Sequence, residues 1–157
     1  MKPLTKREVR AVITAFWELN ASRAPIKAFE EIVDTENLSI TMRGTDIAFH
    51  GIAGFADHQI GKLIFFDQKF VLRKLESTIN GGEATARTEA RWHARTWTSP
   101  APYSHELIAD LRHTWTLRRC PRTGRALMRG HVCERLKYRP GHGPEDTPKD
   151  FHLTVGK

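Results

Sequence analysis

The feature that most constrains the fold is an alternation of apolar and polar residues that runs through most of residues 68–138. In residues 105–119, HELIADLRHTWTLRR, the alternate positions from 107 to 117 are apolar apart from one histidine: Leu107, Ala109, Leu111, His113, Trp115 and Leu117. A period of two predicts a half-buried β-strand. The same period occurs in residues 68–79, 83–98 and 126–138. The second half of the chain therefore predicts four long strands.

Short segments of turn-forming residues separate these strands. Asn80-Gly81 is a strong signal for a β-hairpin. SPAPYS follows the second strand at 99–104, and CPRTGR follows the third at 120–125. Strands joined by such short connections predict an antiparallel meander.

The first half of the chain has helical periodicity. Residues 5–20 repeat apolar side chains at helical spacing, and Thr5 with Glu8 forms a potential capping box. Residues 25–33 and 51–66 predict two more helices, and LSITM at 38–42 predicts a short strand. This order predicts an α+β fold in which three N-terminal helices pack on the concave face of a strongly curved, mostly antiparallel sheet. Such a cone-shaped barrel encloses a pocket, a common location for a small-molecule site.

The length of 157 residues suits one domain, which we predict at 1–139, followed by a tail rich in proline and glycine at 140–157. The N-terminus has no apolar core typical of a signal peptide, and two cysteines suit a reducing compartment, so we expect a cytoplasmic protein. No run is apolar enough for a membrane span, and no spacing is typical of a metal site, so neither a membrane nor a metal is expected.

The net charge of +7 leaves the partner open. It is compatible with an anionic partner or nucleic acid, but the arginines alternate with glutamate and threonine along the predicted strands. A solvated sheet face explains this alternation, so a nucleic acid is not the expected partner.

The histidine among the apolar alternate positions 107–117 is the main candidate for chemistry. A two-residue turn at Thr123-Gly124 would place His113 opposite Glu134 on the neighbouring strand. A carboxylate next to an imidazole fixes its tautomer and favours its charged form, so His113 is a candidate base and Glu134 its partner. A purely structural pair in the core is the alternative interpretation.

Further candidates surround this pair in the predicted sheet. The Asn80-Gly81 turn would place Arg73 opposite Thr88 on the interior face, as a substrate-binding residue or as a cation at the rim. Three tryptophans are candidates for the walls of a substrate pocket: Trp17, Trp92 and Trp115. Core packing alone would also explain all three.

The order of elements, with MRGT at 42–45 and a helix that opens with FHGIAGFADH at 49–58, resembles the nuclear transport factor 2-like superfamily. The most similar branch is that of the SnoaL-like polyketide cyclases and ketosteroid isomerases, over residues 5–139. The resemblance implies a cone-shaped barrel with a deep apolar pocket, often as a homodimer through the sheet. It also implies cofactor-independent proton transfer next to a carbonyl, or activation of water on an epoxide, as in isomerases, cyclases and hydrolases.

The chain departs from the isomerase pattern at two positions. Near the isomerase base it offers only Asp46, after the turn, and at the position of the helix tyrosine it has Phe16 and Trp17. A histidine-centred proton transfer on a hydrophobic, ring-containing molecule is therefore the leading hypothesis. The alternative hypotheses are a non-catalytic module that binds a partner through an arginine-rich sheet face, and a carrier with an inert pocket.

Overall fold

The computed structural model describes residues 2–61 and 64–146. The elements are α1 (Lys6–Ala21), α2 (Ile26–Phe29), β1 (Ser39–Met42), β2 (Ala48–His50), α3 (Gly51–Gly61), β3 (Phe66–Asn80), β4 (Glu83–Thr96), β5 (His105–Arg119) and β6 (Ala126–Tyr138). The strands form one sheet in the order β2-β1-β6-β5-β4-β3. Only the β1–β6 pair is parallel among the described strands. The predicted α+β architecture is confirmed, with an open sheet whose edges are β2 and β3.

Helix α1 covers the inner face of the sheet. The side chain of Thr5 accepts from the backbone N–H of Glu8, and the Glu8 carboxylate accepts from the backbone N–H of Thr5, both at 3.1 Å. This confirms the predicted capping box, which satisfies two N–H groups at the start of the helix. The apolar stripe of α1 is buried in the main core, together with Phe29 and Phe55 from the other two helices.

Short elements differ most from the sequence-based prediction. The second helix has only four α-helical residues, and α3 is confirmed over Gly51–Gly61. The predicted end of the third helix includes residues 62 and 63, which lie outside the described residues, and Phe66 already belongs to β3. Strand β2 was not predicted, because its three residues are too few to establish a period.

The predicted register between the first two long strands is wrong. The loop consists of Gly81 and Gly82, with Asn80 opposite Glu83, and Gly81 has a φ of 60° that favours glycine. The register shifts again between Leu72 and Lys74. Leu75 rather than Arg73 therefore lies opposite Thr88, and Arg73 is an exposed bulge residue.

The register between β5 and β6 contains a bulge that changes the predicted site. Leu111 lies opposite Leu136 as predicted, but His113 lies opposite Cys133 and Trp115 opposite His131. Glu134 falls between two ladder pairs and has no direct neighbour on β5. The bulge keeps both leucines on the inner face while it changes the phase of β6 beyond them.

Residues after β6 run back along the start of β5. The backbone N–H of Arg139 donates to the carbonyl of Ile108 at 2.8 Å, and the N–H of Ile108 donates to the carbonyl of His142 at 3.2 Å. A short 3-10 helix follows at Pro144–Asp146. The rest of the predicted tail, 147–157, lies outside the described residues, so the boundary at 139 stays a prediction. None of the described helices is long and apolar enough to cross a membrane.

Candidate ligand-binding cavity

A cavity of about 180 Å³ lies between α1, β1 and the inner faces of the long strands. Its walls are mainly aromatic and aliphatic side chains: Phe16, Trp17, Ile40, Met42, Ile47, Phe65, Phe70, Trp92, Leu111 and Leu136. Eight of the described lining side chains are polar: Asn20, Thr41, His58, Gln68, His113, His131, Cys133 and Tyr138. An apolar cavity with few polar groups is typical of small-molecule sites.

Two histidines lie side by side on the wall of the cavity. The rings of His113 and His131 stack with their centroids 4.4 Å apart and their planes 19° from parallel. Both residues are buried, with exposed fractions of 5% and 9%. The ring of Trp115 lies 4.5 Å from that of His131 and donates its N–H to the hydroxyl of Thr88 at 2.9 Å, which fixes the indole next to the pair.

Glu134 lies away from the histidines, so the predicted contact with His113 is wrong. Its carboxylate pairs with the guanidinium of Arg43. The hydrogen bond from Arg43 lowers the pKa of Glu134, and Thr114 and the charge of Arg87 lower it further. These partners belong to the outer face of the sheet, because Thr114 and Arg87 alternate with buried inner residues. Glu134 therefore stays a carboxylate that the cavity does not contact.

The other predicted site residues lie in three different places. Trp17 and Trp92 line the cavity, and Trp17 stacks on Phe70 with centroids 5.5 Å apart. Trp115 is completely buried beside the histidines and supports them from the core. Arg73 is exposed at the β3 bulge, and no described lining residue of the cavity is arginine.

An amide cluster near the end of α1 forms the second polar region of the wall. The side chain of Gln59 donates to the side-chain oxygen of Asn20 at 3.0 Å, and Asn20 donates to the carbonyl of Phe16 at 2.8 Å. The indole N–H of Trp92 donates to the side chain of Gln68 at 3.2 Å. These hydrogen bonds use the amide groups within the protein. The amides therefore stabilise the wall and have few groups left to bind a ligand.

Tyr138 brings a phenol to the wall at the end of β6. Burial raises the pKa of Tyr138, and the negative charge of Glu145 raises it further. The phenol is therefore neutral at physiological pH and keeps its O–H as a hydrogen-bond donor.

The assumption of an unbroken register in β6 excluded His131 and Cys133 from the predicted inner face. Tyr138 was also missed, although the predicted register already placed it opposite Ala109 on that face. A signal for the bulge exists in GHVCERLKY, residues 130–138. The apolar positions Leu136 and Tyr138 are even-numbered, whereas His131 and Cys133 are odd-numbered. A switch from odd to even positions along one strand indicates a bulge. Within the described residues, no cluster of three or more His, Cys, Asp or Glu side chains is arranged to hold a metal ion.

Comparisons with known proteins place this architecture in a fold class. No protein-family model matches the chain, and no curated protein is significantly similar in sequence. Solved structures do match. An NTF2-like protein with a cystatin-like fold from Novosphingobium aromaticivorans is 21% identical, covers 82% of this chain and 80% of its own, and superposes with a TM-score of 0.59.

Two further solved structures resemble the chain over most of its length. The structure of LinA is 10% identical and covers 87% of this chain and 90% of its own, with a TM-score of 0.70. A ketosteroid isomerase-like protein from Erwinia carotovora atroseptica is 16% identical. It covers 82% of this chain and 93% of its own, with a TM-score of 0.60. The chain therefore has the nuclear transport factor 2-like fold. This is the fold that the sequence resemblance implied.

Proposed function

We propose that this protein binds a small hydrophobic, ring-containing molecule in the cavity and catalyses cofactor-independent proton transfer next to a carbonyl group. The observation that carries the proposal is the buried imidazole of His113 on the wall of an apolar cavity. The fold shared with a ketosteroid isomerase-like protein supports an isomerase, cyclase or hydrolase type of chemistry.

His113 is the proposed base. An imidazole is suited to accept and return a proton near neutral pH. Apolar walls limit water around the reacting carbon, which strengthens electrostatic interactions with the developing enolate. Because Glu134 lies on the outer face, the stacked ring of His131 replaces it as the immediate neighbour of the base.

Tyr138 is the proposed donor to the enolate oxygen. Its raised pKa keeps the O–H in place, and a neutral donor in an apolar site stabilises a developing oxyanion. Tyr138 lies opposite Ala109, four residues along β5 from His113, which is roughly 13 Å of strand. Because the reacting carbon and the enolate oxygen are bonded to the same carbon atom, the proposal requires the side chains of His113 and Tyr138 to converge on one end of the ligand.

Hydrogen exchange in heavy water tests this proposal directly. The protein is incubated with 2-cyclohexenone and acetophenone, and the loss of the hydrogens next to the carbonyl is followed by NMR. We expect exchange faster than in buffer and in heat-denatured protein. Ring ketones that bind without any accelerated exchange would contradict proton transfer and favour a carrier with an inert pocket.

The outer face of the sheet favours a homodimer over a nucleic-acid partner. Cross-strand neighbours on β4 and β5 form ion pairs at 3.6, 3.1 and 4.0 Å: Glu89–Arg112, Arg91–Asp110 and Arg95–Glu106. These acids offset much of the positive charge that would attract phosphates. A face on which acidic and basic side chains alternate is complementary to a second copy of itself, and we propose such a dimer.

Sedimentation equilibrium checks the dimer. We expect twice the mass of one chain for the wild type. Thr116 is exposed on the outer face of β5, so Thr116→Lys is expected to produce monomer by adding unpaired charge to the interface. Thr78→Lys, on the edge strand, is the matched control and should remain dimeric. A monomeric wild type would refute the proposal.

We also propose a cytoplasmic location. Cys120 and Cys133 form no disulfide bond, which suits a reducing compartment.

A further inference from the structure

We propose that the ligand of this cavity is an uncharged molecule with a single ring and one ketone or hydroxyl oxygen. This inference rests on the proposed function, because it names the chemical class that the same cavity takes. Three properties of the cavity carry it: its volume, the absence of charged groups among the described lining side chains, and the mainly apolar surface of its walls.

The volume limits the ligand to about one ring. The cavity measures about 180 Å³. An engineered apolar cavity of about 150 Å³ in another protein binds benzene. The additional space therefore accommodates one ring and a short substituent. A four-ring steroid is several times the size of benzene and does not fit between α1 and the sheet, although the fold is shared with a ketosteroid isomerase-like protein.

The lining favours an uncharged ligand. The described side chains that line the cavity include no Asp, Glu, Lys or Arg. Burying a charge without an opposite charge is costly, so a carboxylate would require a protonated histidine as its partner. The nearby Glu134–Arg43 pair supplies no such charge, because it lies on the outer face.

The distribution of polar groups favours a ligand with one oxygen. The wall contributed by Phe70, Leu111 and Leu136 offers a ligand no hydrogen bonds, and the Asn20 and Gln68 amides bond mainly within the protein. A polyol such as a sugar would bury most of its hydroxyls against apolar carbon. Each hydroxyl buried without a hydrogen bond would weaken binding. One oxygen can accept from the phenol of Tyr138 while the ring remains among apolar groups.

Titration calorimetry at pH 8 with four probes tests the ligand class. Acetophenone is the expected ligand, benzoate keeps the ring but carries a charge, ethylbenzene lacks the oxygen, and progesterone has four rings. We expect acetophenone to bind at least tenfold more tightly than benzoate or progesterone, and more tightly than ethylbenzene. Benzoate or progesterone equal to acetophenone would overturn the proposal, as would the absence of acetophenone binding.

A cavity-filling variant shows where the probe binds. Leu136→Trp places a larger side chain in the cavity and is expected to weaken acetophenone binding at least tenfold. Ile60→Trp makes the same kind of change at a position that is 65% exposed, and it should leave binding unchanged. Equal effects of the two substitutions would place the binding outside the cavity and overturn the proposal.

The two cysteines supply a second test of location. Cys133 lines the cavity, whereas Cys120 is part of the β5–β6 connection, where hydrogen bonds from Thr123 lower the pKa of the Cys120 thiol to about 7. Acetophenone is expected to slow the alkylation of Cys133 by N-ethylmaleimide, measured by mass spectrometry, without changing the rate at Cys120. Protection of neither or both thiols would contradict binding in the cavity.

The ligand class and the proton transfer fail in different ways. Acetophenone that binds in the cavity without accelerated hydrogen exchange would leave the ligand class intact and refute the proton transfer. Accelerated exchange on a steroid ketone, with no binding of the one-ring ketones, would refute the ligand class and leave the proton transfer intact.

Discussion

Replacing His113 by glutamine is expected to slow the exchange of ketone hydrogens at least 100-fold. Glutamine retains a polar side chain of similar length but cannot accept a proton near neutral pH, and a positioned base contributes roughly 100- to 10,000-fold. The rate is measured by NMR in heavy water under saturating acetophenone. Calorimetric binding of acetophenone should change much less, because the walls of the cavity remain.

Two matched substitutions locate the base within the site. His131→Gln removes the stacked ring and is expected to slow the exchange less than His113→Gln does. Glu134→Gln is expected to leave the rate unchanged, because the carboxylate pairs with Arg43 on the outer face. A His113 variant that is folded by circular dichroism and fully active would disprove the assignment. A large loss in the Glu134 variant would restore the partner predicted from the sequence.

Replacing Arg119 by alanine is expected to lower the melting temperature by roughly 10 °C, because it removes a buried cation from a closed network. The guanidinium donates to both carboxylate oxygens of Glu8, at 2.7 and 2.9 Å, and to the carbonyls of Lys2, Pro3 and Gly124. It therefore ties α1 and the segment before it to the β5–β6 connection. Its side chain is only 8% exposed. Differential scanning calorimetry measures the change.

Lys74→Ala is the control for Arg119. Lys74 pairs with Glu76 at 3.3 Å on the edge strand β3, and both side chains are mostly exposed, so water screens the interaction. We expect a change of about 2 °C or less, as for other exposed pairs. Equal losses at Lys74 and Arg119 would show that the buried network adds nothing to stability.

The hydrogen bonds between Arg119 and Glu8 also make the free energy of unfolding decrease as the pH falls. The hydrogen bond from Arg119 lowers the pKa of Glu8 in the folded protein. A carboxyl whose pKa is lowered by folding stabilises the protein above its unfolded pKa, and this contribution is lost as the pH falls through the folded value. Urea denaturation between pH 7 and pH 3 should show a weaker pH dependence for Glu8→Gln than for the wild type. An unchanged dependence would contradict this role of Glu8.

Strong local patterns made most of the fold predictable. The segments 105–119 and 126–138 are β-strands over the predicted residues, because alternation specifies a strand that is buried on one side, and a bulge shifts the alternation in 126–138 without ending the strand. The capping box at Thr5 and Glu8 located the start of α1 in the same way. Short elements such as β2 were not predictable, since their conformation depends on pairing with β1 rather than on their own pattern.

The sequence by itself determined that this chain builds an α+β fold with a long antiparallel sheet, and that His113 faces the interior of that sheet. Only the tertiary structure decided which residue meets the imidazole. One bulged residue in β6 keeps Leu111 and Leu136 together and directs Glu134 outward, which brings His131 and Cys133 to the cavity. Alternation is a local property, whereas the position of a bulge depends on which side chains fill the space between α1 and the sheet.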